Sequence, residues 1–334
     1  MPENNQPQAI KRIYQQVREV LVQARGRALR AVNAEMVVCY WEIGRLIVEE
    51  EQRGETRATY GKGLIKELSI RLSDEFGRGF HQRNLWFMRN FYLAYPKVNA
   101  LRSELSWTHY RLLLRVEKSE ARAFYEAEAV NSRWSTRELE RQINSLLFER
   151  LALSCDKAGL LELAKKGHEI QKPADLVKDP YVLEFTGIKQ DERFLEKDLE
   201  MALIDKLRQF LLELGKGFAF MARQQRITLD GRHFYIDLVF YNRLTRSFVL
   251  IDLKVGDLTH QDLGQMQNPP IGIILCSDKS DAIVRYTLPE DNQQIFASRY
   301  KLFFPSEEEL AAEIVRERKS LEMEKRFSEK VPDI

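Results

Sequence analysis

Residues 232–265, RHFYIDLVFYNRLTRSFVLIDLKVGDLTHQDLGQ, decide the fold. They read as two β-strands joined by a short turn, then the start of a helix. The first strand alternates: Phe234, Ile236, Leu238 and Phe240 face one way, and Tyr235, Asp237, Val239 and Tyr241 the other. After NRLTRS comes FVLIDLKV, an apolar run of the kind found in strands covered on both faces. Side chains repeat every two residues along a strand. Phe248, Leu250, Asp252 and Lys254 therefore share a face, with Asp252 and Lys254 about 6–7 Å apart.

Charges in such apolar strands need a cause. A lone buried carboxylate costs several kcal/mol unless it is paired, hydrogen-bonded or bound to a metal. One reading is a buried salt bridge at a sheet end. The sharper one is a site for a hard divalent cation, with Asp237 and Asp252 supplying oxygens and Lys254 standing beside them as a positive point charge.

The pattern Asp237, Asp252-Leu253-Lys254, carried on a hairpin and preceded by a helix with acidic residues, resembles the PD-(D/E)xK nuclease superfamily. That spacing alone is weakly specific. The flanking stretches are more telling: LEKDLEMALIDKLRQFLLELGKGFAFMARQQRI, FYIDLVFYN, IDLKVGDLT, GQMQ and IGIILCSDKSDAIVRYTLPEDNQQIFASRYKL resemble the YhcG family of bacterial proteins. The likeness extends upstream through YGKGLIKELSIRLSDEFGRGFHQRNLWFMRNFY and LSWTHYRLLLRV. It implies an all-helical domain over residues 1–170 and a restriction-endonuclease-like domain, a mixed β-sheet flanked by helices, over 171–334 with a charged C-terminal helix. It also implies Mg²⁺ (or Mn²⁺) held by Asp237, Asp252 and Glu200, with Lys254 and Gln265 completing the catalytic set. Glu200 and Glu196 lie one turn apart beside the apolar stripe of the helix before the sheet; the resemblance favours Glu200, with Glu196 second.

Two features depart from the family. Asp252 stands where Glu is commoner, which keeps the carboxylate. Only residues 257–270 separate the Lys254 strand from IGIILC, tight for a parallel crossover and shorter than the helix and loop of other members.

Composition fits a globular protein of two domains: 334 residues, 44% hydrophobic and 31% charged. No run is apolar enough to span a membrane, and MPENNQPQ lacks the marks of a secretory signal. Cys39, Cys155 and Cys276 are scattered without metal-ligand spacing, so neither a zinc site nor a disulfide framework is expected, and a cytoplasmic location is. Residues 1–150 carry 25 Lys and Arg against 19 Asp and Glu, and the remainder 27 against 31. The excess of basic charge in the first half suits a polyanionic partner.

That half reads as helical almost throughout. Residues 8–52 form one apolar-periodic stretch in which Gly26 marks a possible break. From Tyr60 an amphipathic helix runs to Gly77-Arg78-Gly79, and HQRNLWFMRNFYLAY starts another that stops before Pro96. Helix, glycine turn, helix is the outline of a helix-turn-helix. Arg78, Gln82, Arg83 and Arg89 are the candidates to meet nucleic acid, with Leu85, Trp86 and Phe87 packing; an ordinary helical hairpin is the alternative. His109 has no metal-ligand partners and reads as structural or facing nucleic acid. Ser135 with Glu138 and Ser306 with Glu309 form capping boxes. DERFLEKDLEMALIDKLRQFLLELGKG reads as one long helix, and Arg223, Gln224 and Arg226 on the next strand could meet a phosphate backbone.

The expected activity is Mg²⁺-dependent hydrolysis of duplex or branched DNA by a homodimer, in genome defence or DNA processing. A catalytically inactive binding subunit and an RNA nuclease are the competing readings.

Overall fold

The structure, a computed structural model, describes residues 6–53, 58–152, 157–189, 194–229, 232–257, 271–278, 294–306, 308–310 and 312. Contacts divide the chain into two compact units, Met1–Arg122 with Glu128–Leu139, and Ala123–Ala127 with Glu140–Ile334. Residues 140–170 thus pack with the second unit, whereas the sequence reading put them in the first domain.

The first unit is helical. α1 (Gln6–Arg53) runs unbroken through Gly26, contrary to the expected break; a single glycine costs a helix only about 1 kcal/mol and here fails to interrupt it. From Val37 onward α1 is packed, burying Val37, Trp41, Ile47 and Val48. Its partners are α2 (Ala58–Phe76), α3 (Gln82–Ala94) and α4 (Trp107–Leu113). Gly44 lets α1 and α3 approach closely, since a Cβ there would lie 2.0 Å from the Met88 carbonyl oxygen. Trp41 Nε1 donates to the Tyr95 carbonyl at 2.6 Å where α3 ends. The glycine turn before α3 is a short 3₁₀ helix, Arg78–Phe80. His109 is structural: it sits in the first turn of α4, where its ring nitrogens meet Ser106 and, at 3.0 Å, the Trp134 carbonyl. Burial holds its pKa below the usual imidazole value.

Between α4 and the sheet the chain forms α5 (Ser119–Asn131), α6 (Thr136–Asn144), α7 (Leu147–Ala152) and α8 (Lys157–Lys166). The second unit is built on a sheet ordered β1-β6-β5-β4-β3-β2, formed by β1 (Tyr181–Val182), β2 (Phe218–Leu229), β3 (Arg232–Asn242), β4 (Ser247–Asp257), β5 (Gly272–Asp278) and β6 (Ile295–Lys301). β2, β3 and β4 are antiparallel; β4, β5, β6 and β1 run parallel. The short crossover is therefore made, although residues 258–270 that make it, Gln265 among them, lie outside the described residues. At the β3–β4 turn the buried Asn242 accepts from the Leu244 and Thr245 amides and donates to the Lys216 carbonyl, so one side chain closes the hairpin.

The expected long helix is two, α9 (Glu196–Asp205) and α10 (Leu207–Leu214), parted at Lys206, whose φ and ψ of −111° and 30° leave the helical region. Leu199, Leu203, Phe210 and Leu214 pack on Leu238, Phe240, Val249, Ile251 and Leu253 of the sheet. Leu195 is exposed just before α9 begins.

Sequence patterns missed the ionic knot beneath α10. Glu213 is fully buried and accepts from Arg150 on α7 (Leu147–Ala152) at 2.6 Å, from Arg141 on α6 (Thr136–Asn144) at 3.1 Å, and from the Val182 amide at 2.9 Å. Arg141 also meets Glu184 at 2.8 Å, and the Lys178 ammonium donates to the Glu213 carbonyl. Burial alone would raise the Glu213 pKa; Arg150, Lys178 and Arg141 outweigh it and hold the carboxyl at about 2.

Candidate active site

Asp237 and Asp252 arrive at one point because the hairpin register puts them opposite each other. Leu238 pairs with Ile251, so the next step along the ladder brings Asp237 to Asp252. Regular pairing stops there, and Asp237 Oδ2 accepts the Leu253 amide at 2.8 Å in place of a ladder bond. The two carboxyl groups are within hydrogen-bonding reach of each other. Asp252 is buried, and burial pushes its pKa well above the usual carboxylate range; Asp237 pushes it further, while Lys254 opposes.

Lys254 Nζ stands 3.4 Å from Asp252 Oδ2 and 3.8 Å from Glu196 Oε2. Glu196, at the first position of α9, also accepts the Val255 amide at 3.3 Å, tying that helix start to the end of β4. On the far side of β4 the Ser277 hydroxyl receives the Gly256 amide at 2.7 Å.

Glu200, one turn along α9, is buried. Its Oε2 accepts from Gln224 Nε2 at 2.8 Å, and the same nitrogen donates to Asp237 Oδ1 at 3.0 Å. Gln224 adopts φ 48°, the left-handed region that costs a non-glycine residue of order 1 kcal/mol or more, within a strand whose register with β3 also shifts between Phe220 and Ala222. The backbone is bent so that this carboxamide turns toward the carboxylates. Gln224 was expected to face phosphate; its amide nitrogen is instead engaged by Glu200 and Asp237. The register brings it there: Arg223 pairs with Leu238 and Gln225 with Ile236, so Gln224 lies opposite Asp237, a pairing that neither strand's own pattern reveals.

The structure therefore gathers Glu200, Asp237, Asp252 and Lys254, and adds Glu196 and Gln224. Among the described residues no three His, Cys, Asp or Glu side chains form a ready-made metal cluster. Asp237 and Asp252 make a pair, and Gln224 links that pair to Glu200. The donors nonetheless fit a hard divalent cation: all are carboxylate oxygens, and Lys254 alone leaves the buried Asp252, beside Asp237, with its pKa raised, so a further positive charge suits the pair.

The helical unit shows a mixed picture. Gln82 and Arg83 are exposed on α3, the side chain of Arg78 lies outside the described residues, and Arg223 is exposed on β2. Arg89 meets Glu51 on α1 at 2.7 Å, which neutralises its charge. Arg83 and Arg111 lean over the Phe87 ring, 5.8 and 5.0 Å from its centre. Leu85 and Phe87 pack as expected, but Trp86 is half exposed, since it lies on the same outward face as Gln82 and Asn90.

Residues 16–150 match the DUF1016 N-terminal domain, and residues 174–315 match the YhcG PDDEXK nuclease domain. A protein of Escherichia coli (strain K12), "Putative nuclease YhcG", is 38% identical over 92% of this chain and 96% of its own length. Among solved structures, a repair endonuclease from Pyrococcus abyssi aligns with 34% of this chain and 50% of its own at 20% identity and a TM-score of 0.23, a likeness too slight to carry an argument.

Proposed function

The chain belongs to the YhcG family and carries its PDDEXK nuclease domain, and from that premise we propose that it is a Mg²⁺- or Mn²⁺-dependent nuclease that hydrolyses phosphodiester bonds of DNA. The observation that carries the reading is the buried Asp252 beside the half-buried Asp237, with Lys254 3.4 Å from Asp252, a charge arrangement with little structural purpose of its own.

A divalent cation held by Asp237, Asp252 and Glu200 would polarise the scissile phosphate and acidify the attacking water. The chain's own residues do the rest. Lys254 places a fixed positive charge where negative charge develops on the phosphate, an effect worth most in a water-poor site. Glu196 and the Val255 amide hold the end of β4 against α9, which fixes Lys254 relative to Glu200. Gln224 keeps Glu200 and Asp237 converged. Gln265 is proposed as a further member of the set.

The helices of the first unit would grip duplex DNA through Gln82, Arg83 and the neighbouring Arg78, mostly by salt-sensitive phosphate contacts, while the second unit cuts. Arg223 would extend the phosphate track beside the carboxylates. Cytoplasmic location and a homodimer complete the proposal; two-fold dimers suit the two strands of a duplex.

The test is incubation of purified protein with plasmid, linear duplex and RNA in Mg²⁺, Mn²⁺ or EDTA, beside Lys254→Ala and Asp237→Ala. Metal-dependent DNA cleavage lost in both variants is the expected result. Salt-sensitive binding without cleavage would leave a binding subunit, and cleavage confined to RNA would reassign the substrate.

A further inference from the structure

The sheet forks at the carboxylates. β3 pairs with β4 only over Leu238–Asn242, but it pairs with β2 as far out as Arg232, opposite Leu229. From Asp237 outward, β2 and β3 therefore run on as a two-stranded ribbon, while β4 continues beside β5 through Lys254. One prong of the fork carries Lys254. The other carries Tyr235, two residues before Asp237, so alternation sets these two side chains on one face about 7 Å apart. Ile236 between them turns to the opposite face and is buried, which fixes the phase. Arg226 stands directly across the ladder from Tyr235, two residues beyond the Gln224 that meets Asp237, and is exposed. Tyr235 itself is 59% exposed.

We propose that Tyr235 is a base-stacking subsite, on which the nucleotide next to the scissile phosphate lays its base, with Arg226 beside the ring as a cation for the backbone. This rests on the nuclease reading and narrows its substrate. A strand whose phosphate sits against Asp237, Asp252 and Lys254 lies in the fork, and its adjoining nucleotide then passes the ring one side-chain repeat away. A protein partner is not what this surface fits: one partly bared tyrosine offers on the order of 100 Å², against about 800 Å² that a standard interface takes from each side. Stacking also selects the form of the nucleic acid. Inside a duplex both faces of a base are covered by its neighbours, so a tyrosine ring reaches one only where a neighbour is missing, and sequence-tolerant stacking of this kind belongs to unpaired strands. The bond cut is therefore one beside an unpaired base, as at a branch or a flap, rather than one inside continuous duplex.

The test compares the full chain with Tyr235→Ile and Tyr235→Phe on two DNA substrates of one sequence, a fully paired duplex and a splayed-arm duplex, in Mg²⁺ or Mn²⁺. Isoleucine keeps the strand propensity without a flat ring, and phenylalanine keeps the ring without the hydroxyl. The side chain is exposed, so both variants keep the fold, which circular dichroism checks. The unaltered protein should cut the splayed arm about tenfold faster than the duplex at low substrate. Tyr235→Ile should lose that advantage through KM, with kcat on the splayed arm and cleavage of the duplex little changed, and Tyr235→Phe should restore it. An abasic residue beside the mapped cut, tried on each side in turn, should on one side slow the unaltered protein by the same factor and slow Tyr235→Ile no further. A splayed-arm advantage that survives in Tyr235→Ile, or abasic and Tyr235→Ile losses that simply multiply, overturns the subsite and leaves the nuclease standing. Equal cutting of both substrates by the unaltered protein does the same. Cleavage of neither substrate with either metal overturns the nuclease reading itself.

Discussion

The amide nitrogen of Gln224 lies 2.8 Å from Glu200 Oε2, and 3.0 Å on its other side is Asp237 Oδ1. One neutral donor on β2 thus holds together a carboxylate from α9 and one from β3. Partners that orient metal-binding carboxylates typically contribute 10–100-fold in affinity. Gln224→Met, close to isosteric but without the donor, should weaken Mn²⁺ binding by about that factor in the absence of nucleic acid, with cleavage at saturating metal largely restored. Titration followed by the free Mn²⁺ resonance reads it; unchanged affinity would show that the carboxamide orders nothing.

Asp252 gives a stability effect opposite in sign to its effect on activity. Its pKa is raised in the folded protein by burial and by Asp237, with Lys254 opposing. A carboxyl of this kind favours folding while protonated and opposes it as rising pH ionises it. Asp252→Asn should therefore raise the melting temperature of the metal-free protein at pH 8 by a few degrees, on the order of 1 kcal/mol, with the gain shrinking toward pH 5. Cleavage is lost at every pH. A variant less stable than its parent at pH 8 would mean that the carboxylate is better paired than its surroundings suggest.

The hairpin and its charged pair were legible because strand alternation is geometric: once 234–240 and 248–254 are strands, the faces of Asp237, Asp252 and Lys254 follow. Glu200 was placed by resemblance, since a carboxylate beside an apolar stripe is silent about its partner. Gln224 was read as a phosphate contact because the β2–β3 register that sets it opposite Asp237 is not written in either strand alone. The Glu213 knot was invisible for another reason: Arg141, Arg150 and Glu213 are far apart in sequence, and each alone resembles an ordinary surface charge on an amphipathic helix. The division at Lys206 had no glycine or proline to announce it.

Glu213 and His168 set how the second unit responds to acid. His168 is half-buried, and burial followed by Lys178 and Lys216 lowers its pKa from 6.5 to about 4. Both groups titrate below their unfolded values, so their stabilisation is present above those values and lost as pH falls. Loss begins below about pH 6.5 through His168, whose stabilisation is gone by about 4, and continues from about 4.5 to about 2 through Glu213. Denaturant melts across pH should show both steps. Glu213→Gln should flatten the lower one and, by leaving Arg150 and Arg141 short of a buried partner, cost about 3–5 kcal/mol at neutral pH.

Gly44 and Met88 make the first unit sensitive to a single methyl group. A Cβ 2.0 Å from a backbone oxygen cannot be relieved by rotating a side chain, so α1 and α3 must separate. Gly44→Ala, which would stabilise an exposed helix, should destabilise this unit by about 2 kcal/mol or more. Thermal melting by circular dichroism checks the sign, and a stabilised variant would show that the helices can shift at little cost.

Arg83 and Arg89 separate phosphate contact from packing on α3. Arg83 is exposed, whereas Arg89 is already neutralised by Glu51 at 2.7 Å. A cation that displaces counterions from duplex DNA contributes about 0.9 to the slope of log affinity against log salt, and a cation already paired contributes little. Arg83→Ala should lower that slope by about one and weaken binding several-fold at low salt, uniformly across sequences. Arg89→Ala should leave the slope unchanged and instead loosen the α1–α3 contact, lowering the melting temperature. Fluorescence anisotropy with labelled duplex at a series of salt concentrations distinguishes the two. Equal slopes for Arg83→Ala and the parent would remove α3 from the DNA-binding surface, whatever the nuclease unit does.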